Sequence, residues 1–362
     1  MNNLEVFTLT KKLLKEAVLE NKYWNGIIEA PFSKNKAKWI LENNRAEDDD
    51  ALAILGYENN NVVALVYLVP DLVIGEDGIA KKIFWSQRWW VSDKYKDTVL
   101  SAYVKNMSLN ECGNQVVVKF VGDNTKAYYD KQPFSKFSKR KRYIIIFSLD
   151  YGLLIHKKNS LKKIAPVLKT ADSLSRKVIA VINRNKTINK NVTYKNVQYI
   201  EDEVWSFLEK HCISDIVPKS KDYVNWQISN SQYQILKNSD KSNYNCLLGS
   251  ISENINNINI VVKLNNETVG FVSAFNSKNR FVIRYFIANE ANYNDCLSIM
   301  FRAFKRSKCT ILQTENEKLG KLISSKYFKV YCDVKELVSL VHNDVNVDFN
   351  NSLITDQDGN MF

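Results

Sequence analysis

The sequence predicts an α/β (α+β) protein built as two similar units, each a sheet flanked by helices. Three observations point there. A chain of 362 residues exceeds one ordinary core. Strand-like and helix-like patterns alternate along its whole length. From Val192 the order of elements begins again, and a second Asn-led hairpin resembles the first: Asn60–Val66 against Asn266–Val272.

In chain order, LEVFTL (4–9) reads as a short strand, and KKLLKEAVLE (11–20) places Leu13, Leu14, Ala17 and Val18 on one helical face. A second helix spans roughly 34–43 and is closed by the acidic run 47–50. ALAILGYENNNVVALVYLV (51–69) is two strands about an Asn-rich turn, with Pro70 ending the second or marking an edge. The stretch from Ile83 to Phe147 then runs strand (IFWSQRWWV), polar turn (SDKYKDTV), helix (LSAYVKNMSL), strand (QVVVKFV), helix ending YYDKQPF, and strand (YIIIF). Strict alternation would put Trp85 and Trp89 on one face and Trp90 on the other. From Leu149 to Lys190 the pattern is a helical connector interrupted at Pro166, then a basic polar run. VQYIE (197–201) opens the second unit as a strand, followed by a helix with Val204, Phe207 and Leu208 on one face, a short helix at 222–228, and strands at NCLLGSI, NINIVVKL and TVGFVSAF.

Composition narrows the function classes. Hydrophobic residues at 45% and charged residues at 25% describe a globular protein with a packed core. The net charge of +12 suits either a phosphate-bearing partner or a solvated lysine-rich surface. Six dispersed cysteines without a CxxC, and three histidines, build neither a metal site nor a disulfide framework. Without an apolar leader or a membrane-length apolar run, the expected setting is the cytoplasm, with no membrane partner.

The order of elements from Ile83 to Phe147 resembles the acyl-CoA half of the GNAT superfamily of N-acyltransferases. That resemblance implies two GNAT-like domains, each a mixed, mostly antiparallel sheet flanked by helices: 1–150 binding acyl-CoA, 151–190 a helical connector, and 191–362 binding the acceptor. In the family the turn after the central strand wraps the pyrophosphate at a helix N-terminus, where unpaired N–H donors converge. The matching positions are Trp90, Val91, Lys96, Asp97, Thr98, Val99, Leu100 and Ser101, with Asn124 further on. Lys96 stands where the family has Arg or Gln, and Val99 where it has Gly, so a β-branched side chain limits the approach of a phosphate. Tyr129, in Tyr129-Asp130-Lys131-Gln132-Pro133-Phe134, matches the family's Y-x-x-x-G-F with Pro for Gly, which makes it the implied general acid for the leaving thiolate. In the second unit Ile323 takes that position, and the turn at 289–295 has Glu290 and Asp295 in place of glycine and cations.

Chains of this kind include N-acyltransferases of nucleotide-linked amino sugars used in surface polysaccharides, and the resemblance implies that substrate here, with no metal. The tail 349–359 resembles acidic tails of that group, so Asp356 and Asp358 become candidates to hold the sugar or deprotonate the ammonium. An aminoacyl-tRNA-dependent transferase of the peptidoglycan-bridge type also fits the basic charge, though no long helical hairpin is evident. A non-enzymatic nucleic-acid-binding protein is a third class, without a recognisable reading motif. The run Lys136, Lys139, Arg140, Lys141, Arg142 suits either a phosphate or the protection of the strand that follows it. His211 beside Cys212, His156 and His342 have no partner placed by sequence, and His211 at a helix end is favoured there by the dipole.

Overall fold

The structure is a computed structural model that describes residues 4–25, 29–75, 77–184, 189–235, 245–248, 251–252, 254–347 and 353–360. Residues 185–188 of the basic run and 349–352 of the tail lie outside the described residues. The chain forms two compact units, one from Met1–Lys139, Cys212–Glu253 and Leu337–Phe362, the other from Arg140–His211 and Asn254–Glu336.

The elements run β1 (Leu4–Thr10), α1 (Lys11–Glu20), β2 (Glu29–Phe32), α2 (Lys34–Leu41), β3 (Ala51–Glu58), β4 (Asn61–Ile74), β5 (Ala80–Val91), α3 (Leu100–Glu111), β6 (Val116–Val118), α4 (Asp123–Tyr129) and β7 (Phe134–Ile146). They continue with α5 (Tyr151–Lys157), α6 (Ala165–Ile182), β8 (Val192–Asn196), α7 (Asp202–His211), α8 (Lys221–Ile228), β9 (Gln234–Ile235), β10 (Asn245–Leu248), β11 (Ile251–Ser252), β12 (Ile255–Leu264), β13 (Glu267–Ser277), β14 (Arg280–Ala288), α9 (Tyr293–Arg306), β15 (Ile311–Thr314), α10 (Glu317–Lys326) and β16 (Tyr331–His342).

In the first unit the strand order is β1-β3-β4-β5-β6-β16, antiparallel throughout except for the parallel pair β5–β6. In the second it is β8-β12-β13-β14-β15-β7, again with a single parallel pair, β14–β15. Each unit is thus a mixed, mostly antiparallel sheet flanked by helices. The final strand of each is exchanged in sequence: the C-terminal β16 pairs with β6 at Val118 and Leu340, whereas β7 pairs with β15.

The same local devices recur in both units. Asn59-Asn60 and Asn265-Asn266 turn the two hairpins with positive φ at both positions, the conformation that asparagine tolerates best after glycine. A residue is inserted into the strand after each turn, at Val63 and at Val269. A second bulge follows in the next strand, at Gln87 of β5 and Arg284 of β14.

The Gln87 bulge reverses the alternation expected of the tryptophans. The extra residue shifts every later side chain to the other face. Trp85 and Trp90 therefore share the core formed under α1, α2 and α8, while Trp89 joins the core under α3 and α4. Other differences are local. Pro166 lies in the first turn of α6 and starts the helix, because its missing N–H has no partner there anyway. Pro70 lies inside β4, past the end of β3, so no ladder bond is lost. The strand that follows α6 is VTYKN, not VQYIE.

One buried carboxylate joins the segments of the first unit. Asp71 on β4 is wholly buried and accepts from Trp85 Nε1 (2.8 Å), the Tyr223 hydroxyl (2.8 Å) and Arg45, whose guanidinium also bonds the Pro218 carbonyl and stacks on the Tyr223 ring. Trp39 and Trp226 stack at 4.3 Å, and each indole N–H donates to the other's carbonyl (2.7 and 2.8 Å). Asp71→Ala removes the carboxylate that Arg45, Trp85 and Tyr223 share in the core. It is expected to cost about 3–5 kcal/mol in urea unfolding, and a loss under 1 kcal/mol would show that the hub is not needed for stability.

Candidate functional site

The first unit opens a gap between its two parallel strands. The β5–β6 ladder registers Phe84 with Val116 and Trp85 with Val117 and ends there, while β5 runs on to Val91. The Gln87 bulge falls two residues past the last pair. The lips of the gap are Ser86 to Val91 on one side and Lys119 to Val121 on the other.

On the α3 side Tyr129 ends α4, buried among Trp89, Tyr128 and Phe134 with edge-on ring contacts. Burial first, then the neighbouring Tyr128, pushes its phenol far above the ordinary tyrosine range, against a smaller opposing effect from a hydrogen bond with Ser86. The phenol is therefore protonated at neutral pH. Behind it Lys105 of α3 is wholly buried, its Nζ donating to Ser86 Oγ at 2.8 Å and lying 5.6 Å from the Tyr129 ring. Burial lowers the Lys105 ammonium from its usual value to about 8. Lys105 and Ser86 were not among the residues expected from sequence. The signal was present: Leu100, Val104, Lys105, Ser108 and Leu109 form the buried stripe of α3, and a lysine in an apolar stripe marks a buried charge.

The turn into α3 is a 3-10 turn at Asp93–Tyr95 followed by the helix cap at Val99, which makes no side-chain cap bond. Thr98 Oγ1 accepts from Leu100 N–H (3.3 Å), and the Ser101 carbonyl accepts from Trp89 Nε1 (3.2 Å). Val99 is 85% exposed, so its branched side chain points outward. A cleft of about 430 Å³ lies here, lined by Leu4, Val6, Tyr95, Thr98, Val99, Leu100 and Tyr103. Lys96 is exposed and paired with Asp93 (2.6 Å), which raises its pKa through that hydrogen bond, and Lys94 is held by Glu58. Asp97 and Asn124 are exposed, Trp90 packs toward α1 and α2, and Val91 packs toward α3.

The structure brings Lys96 to Ser101 together at the start of α3 and links them to Tyr129 through Trp89. It places Asp356 and Asp358 on the other face of the sheet. There the segment 353–360 closes over Trp85, with Gly359 at φ +58° against the indole, where an added Cβ would come within 2.7 Å of the ring. Both lips of the gap hold this segment: Gln87 Nε2 donates to the Gly359 carbonyl, and Lys119 Nζ donates to the carbonyls of Thr355 (3.0 Å) and Asp356 (2.9 Å). The Asp358 carboxylate is wholly buried, paired with Lys219 on one oxygen and accepting Thr355 N–H (2.8 Å) on the other. A larger cleft of about 590 Å³ beside α1 is lined by the stacked rings of Phe7, Tyr57 and Tyr23 and by Glu5, Glu16 and Glu20 against the single cation Lys22. Its charge suits an ammonium group better than a phosphate.

In the second unit Ile323 is buried in α10 at the position compared with Tyr129, and Glu290 pairs with Lys318 (2.6 Å). Arg140 and Arg142 of the basic run both bind the buried Glu315 (2.8 Å each). His342 accepts Asp344 N–H on Nδ1 (3.2 Å), and burial lowers its pKa; His211 bonds the Phe207 carbonyl of its own helix (2.9 Å). Among the described residues no cluster of side chains has the makings of a metal site.

The two sets of strands share one order, each with a bulged central strand and one parallel pair that parts before its longer strand ends. The chain aligns with N-myristoyltransferase of Saccharomyces cerevisiae with bound myristoyl-CoA over 98% of its own length and 90% of that chain, at TM-score 0.52 and 10% identity. It also aligns with GCN5-related N-acetyltransferases of Anabaena variabilis (93% and 72% of the two chains, TM-score 0.47, 7% identity) and Kribbella flavida (94% and 70%, 0.46, 10%). No family model and no curated protein matches the sequence. At 10% identity the likeness to the myristoyltransferase establishes the fold alone.

The buried ammonium generates a pH prediction. Its folded pKa lies below the unfolded value, so the unfolded chain binds the extra proton between about pH 8 and 10.5, and this group's contribution to stability rises with pH across that window. Relative to Lys105→Met, wild type should gain roughly 3 kcal/mol between pH 7 and pH 10.5 in denaturant titrations. A difference independent of pH would mean that Lys105 is not held in a desolvated site.

Proposed function

We propose that the protein is an acyl-CoA-dependent N-acyltransferase that acylates the amino group of a nucleotide-linked amino sugar. The observation that carries the reading is the gap that opens after Trp85, with Tyr129 buried beside it and the start of α3, whose Val99 cap makes no side-chain bond, following on β5. The pantetheine arm would take the place of the missing ladder on β5, and the pyrophosphate would meet the first N–H groups of α3, aided by Lys96 once released from Asp93. In the reaction the acceptor nitrogen, as the neutral amine, forms a bond to the thioester carbonyl carbon, the C–S bond breaks, the thiolate takes the Tyr129 proton, and the proton that the nitrogen gives up passes through water to restore the phenol. The phenolate so formed lies near the Lys105 ammonium and bonds Ser86, which offsets the high cost of ionising a buried tyrosine.

The proposed division of labour is by sequence segment, 1–150 for acyl-CoA, 151–190 as connector and 191–362 for the acceptor, although 212–253 and 337–362 fold into the first unit and 151–190 into the second. Ile323 cannot donate a proton, and Glu290 would repel a phosphate, which supports a different role for the second set of elements. The charge of +12 favours capture of a nucleotide diphosphate. Asp356 and Asp358 act in this reading by holding 353–360 across the gap.

Acetyl-CoA or a longer acyl-CoA at a hundredfold excess over Kd is expected to stabilise the fold by about 2.7 kcal/mol in a thermal-shift titration, and bulk tRNA is not. Stabilisation by tRNA alone, or by neither, overturns the acyl-CoA reading. With an acylated amino sugar as readout, Tyr129→Phe should lower kcat by about a hundredfold or more while KM for acyl-CoA holds; an unchanged kcat removes Tyr129 from the chemistry.

A further inference from the structure

Helix α6 carries an apolar stripe that its own unit leaves in solvent. Val167, Leu174, Val178 and Val181 are 67%, 57%, 55% and 67% exposed, and their steps of seven, four and three residues keep them on one helical face. Ile164 and Ile182, both exposed, extend the stripe at either end. The helix is held by a different face. Ile179 is buried, Asp172 accepts from Asp150 N–H (3.0 Å) and Arg176 (2.8 Å), and Asn183 exchanges two hydrogen bonds with the backbone of Phe328 (2.8 and 2.9 Å). The exposed stripe is therefore a second apolar surface on an anchored helix.

The charge around it selects its partner. From Lys158 to Arg184 the chain carries seven cations (Lys158, Lys162, Lys163, Lys169, Arg176, Lys177 and Arg184) against the single carboxylate of Asp172, which is engaged by Arg176. A second copy of the chain docking through this stripe would oppose two such cationic sets with no carboxylate to answer them. A surface of anionic lipid meets both features: apolar side chains enter the boundary between headgroups and acyl chains, and each lysine gains from the negative surface potential. No described helix is long and apolar enough to cross a membrane, so such an attachment is peripheral.

We propose that α6 and the basic turn before it dock this protein on an anionic membrane surface, with the helix lying in the plane of the interface. This goes beyond acyl transfer and does not depend on it.

The test uses the full chain and sedimentation with vesicles of phosphatidylcholine alone or with phosphatidylglycerol. Wild type is expected to sediment with the anionic vesicles and remain in solution with the neutral ones. Leu174→Asp with Val178→Asp should reduce anionic-vesicle binding about tenfold or more, with circular dichroism and melting temperature unchanged. Lys162→Glu with Lys163→Glu should weaken binding and flatten its salt dependence. The proposal is overturned if wild type stays in the supernatant with anionic vesicles, or if the Asp pair binds as wild type does. It is also overturned if sedimentation equilibrium finds a dimer that the Asp pair dissolves, which assigns the stripe to a second copy.

Discussion

The first unit depends on the Asp71 carboxylate. Its partners come from β5, from the loop after α2, and from α8, elements far apart in sequence that hydrophobic burial alone would leave free to slide. A buried ion pair is a poor source of net stability, because desolvation consumes most of the Coulomb attraction. What it supplies here is register. Only one placement of α8 satisfies Tyr223, Arg45 and Trp85 together, and the reciprocal Trp39–Trp226 bonds fix the same helix from its other end. Since Trp85 is the last residue of the β5–β6 ladder, the carboxylate that positions its indole also sets where the strands part.

Much of the architecture was legible because it follows from local rules. The Asn-led turns, the helical stripe of α7 and the repeated order of elements each follow from one stretch of chain, whereas Leu13, read onto the buried face of α1, is exposed. The Gln87 bulge was not legible: an inserted residue has no compositional mark, and missing it reversed the face of Trp89. The exchange of last strands was equally invisible, since YIIIF and VSLVH alternate in the same way whichever neighbour they pair with. The turn before α3 and the tyrosine that ends α4 lie in the elements their order in the sequence suggested, whereas the partnership of Lys105 with Ser86 requires the helix to lie over the strand. The tail residues were read as polar ligands, yet the Asp358 carboxylate is occupied by Lys219 and by the backbone of its own turn.

The two units share their turns and bulges but differ in what occupies equivalent places. Where the first has Tyr129, the second has Ile323; where the first has a polar bulge residue bonded to the tail, the second has Arg284 over the ring of Phe275. At matched bulges the backbone irregularity is shared and the side chain on it differs, so backbone form and side-chain role are separable here.

The pairing of β16 with β6 has a consequence for how the protein is made. Ser339 bonds the Lys119 carbonyl across 220 residues, and until that late strand is synthesised β6 has one open edge. The N-terminal sheet cannot close as it leaves the ribosome, so the chain must carry an unpaired Val-rich edge through translation of everything between. Closure over so long a loop is intrinsically slow.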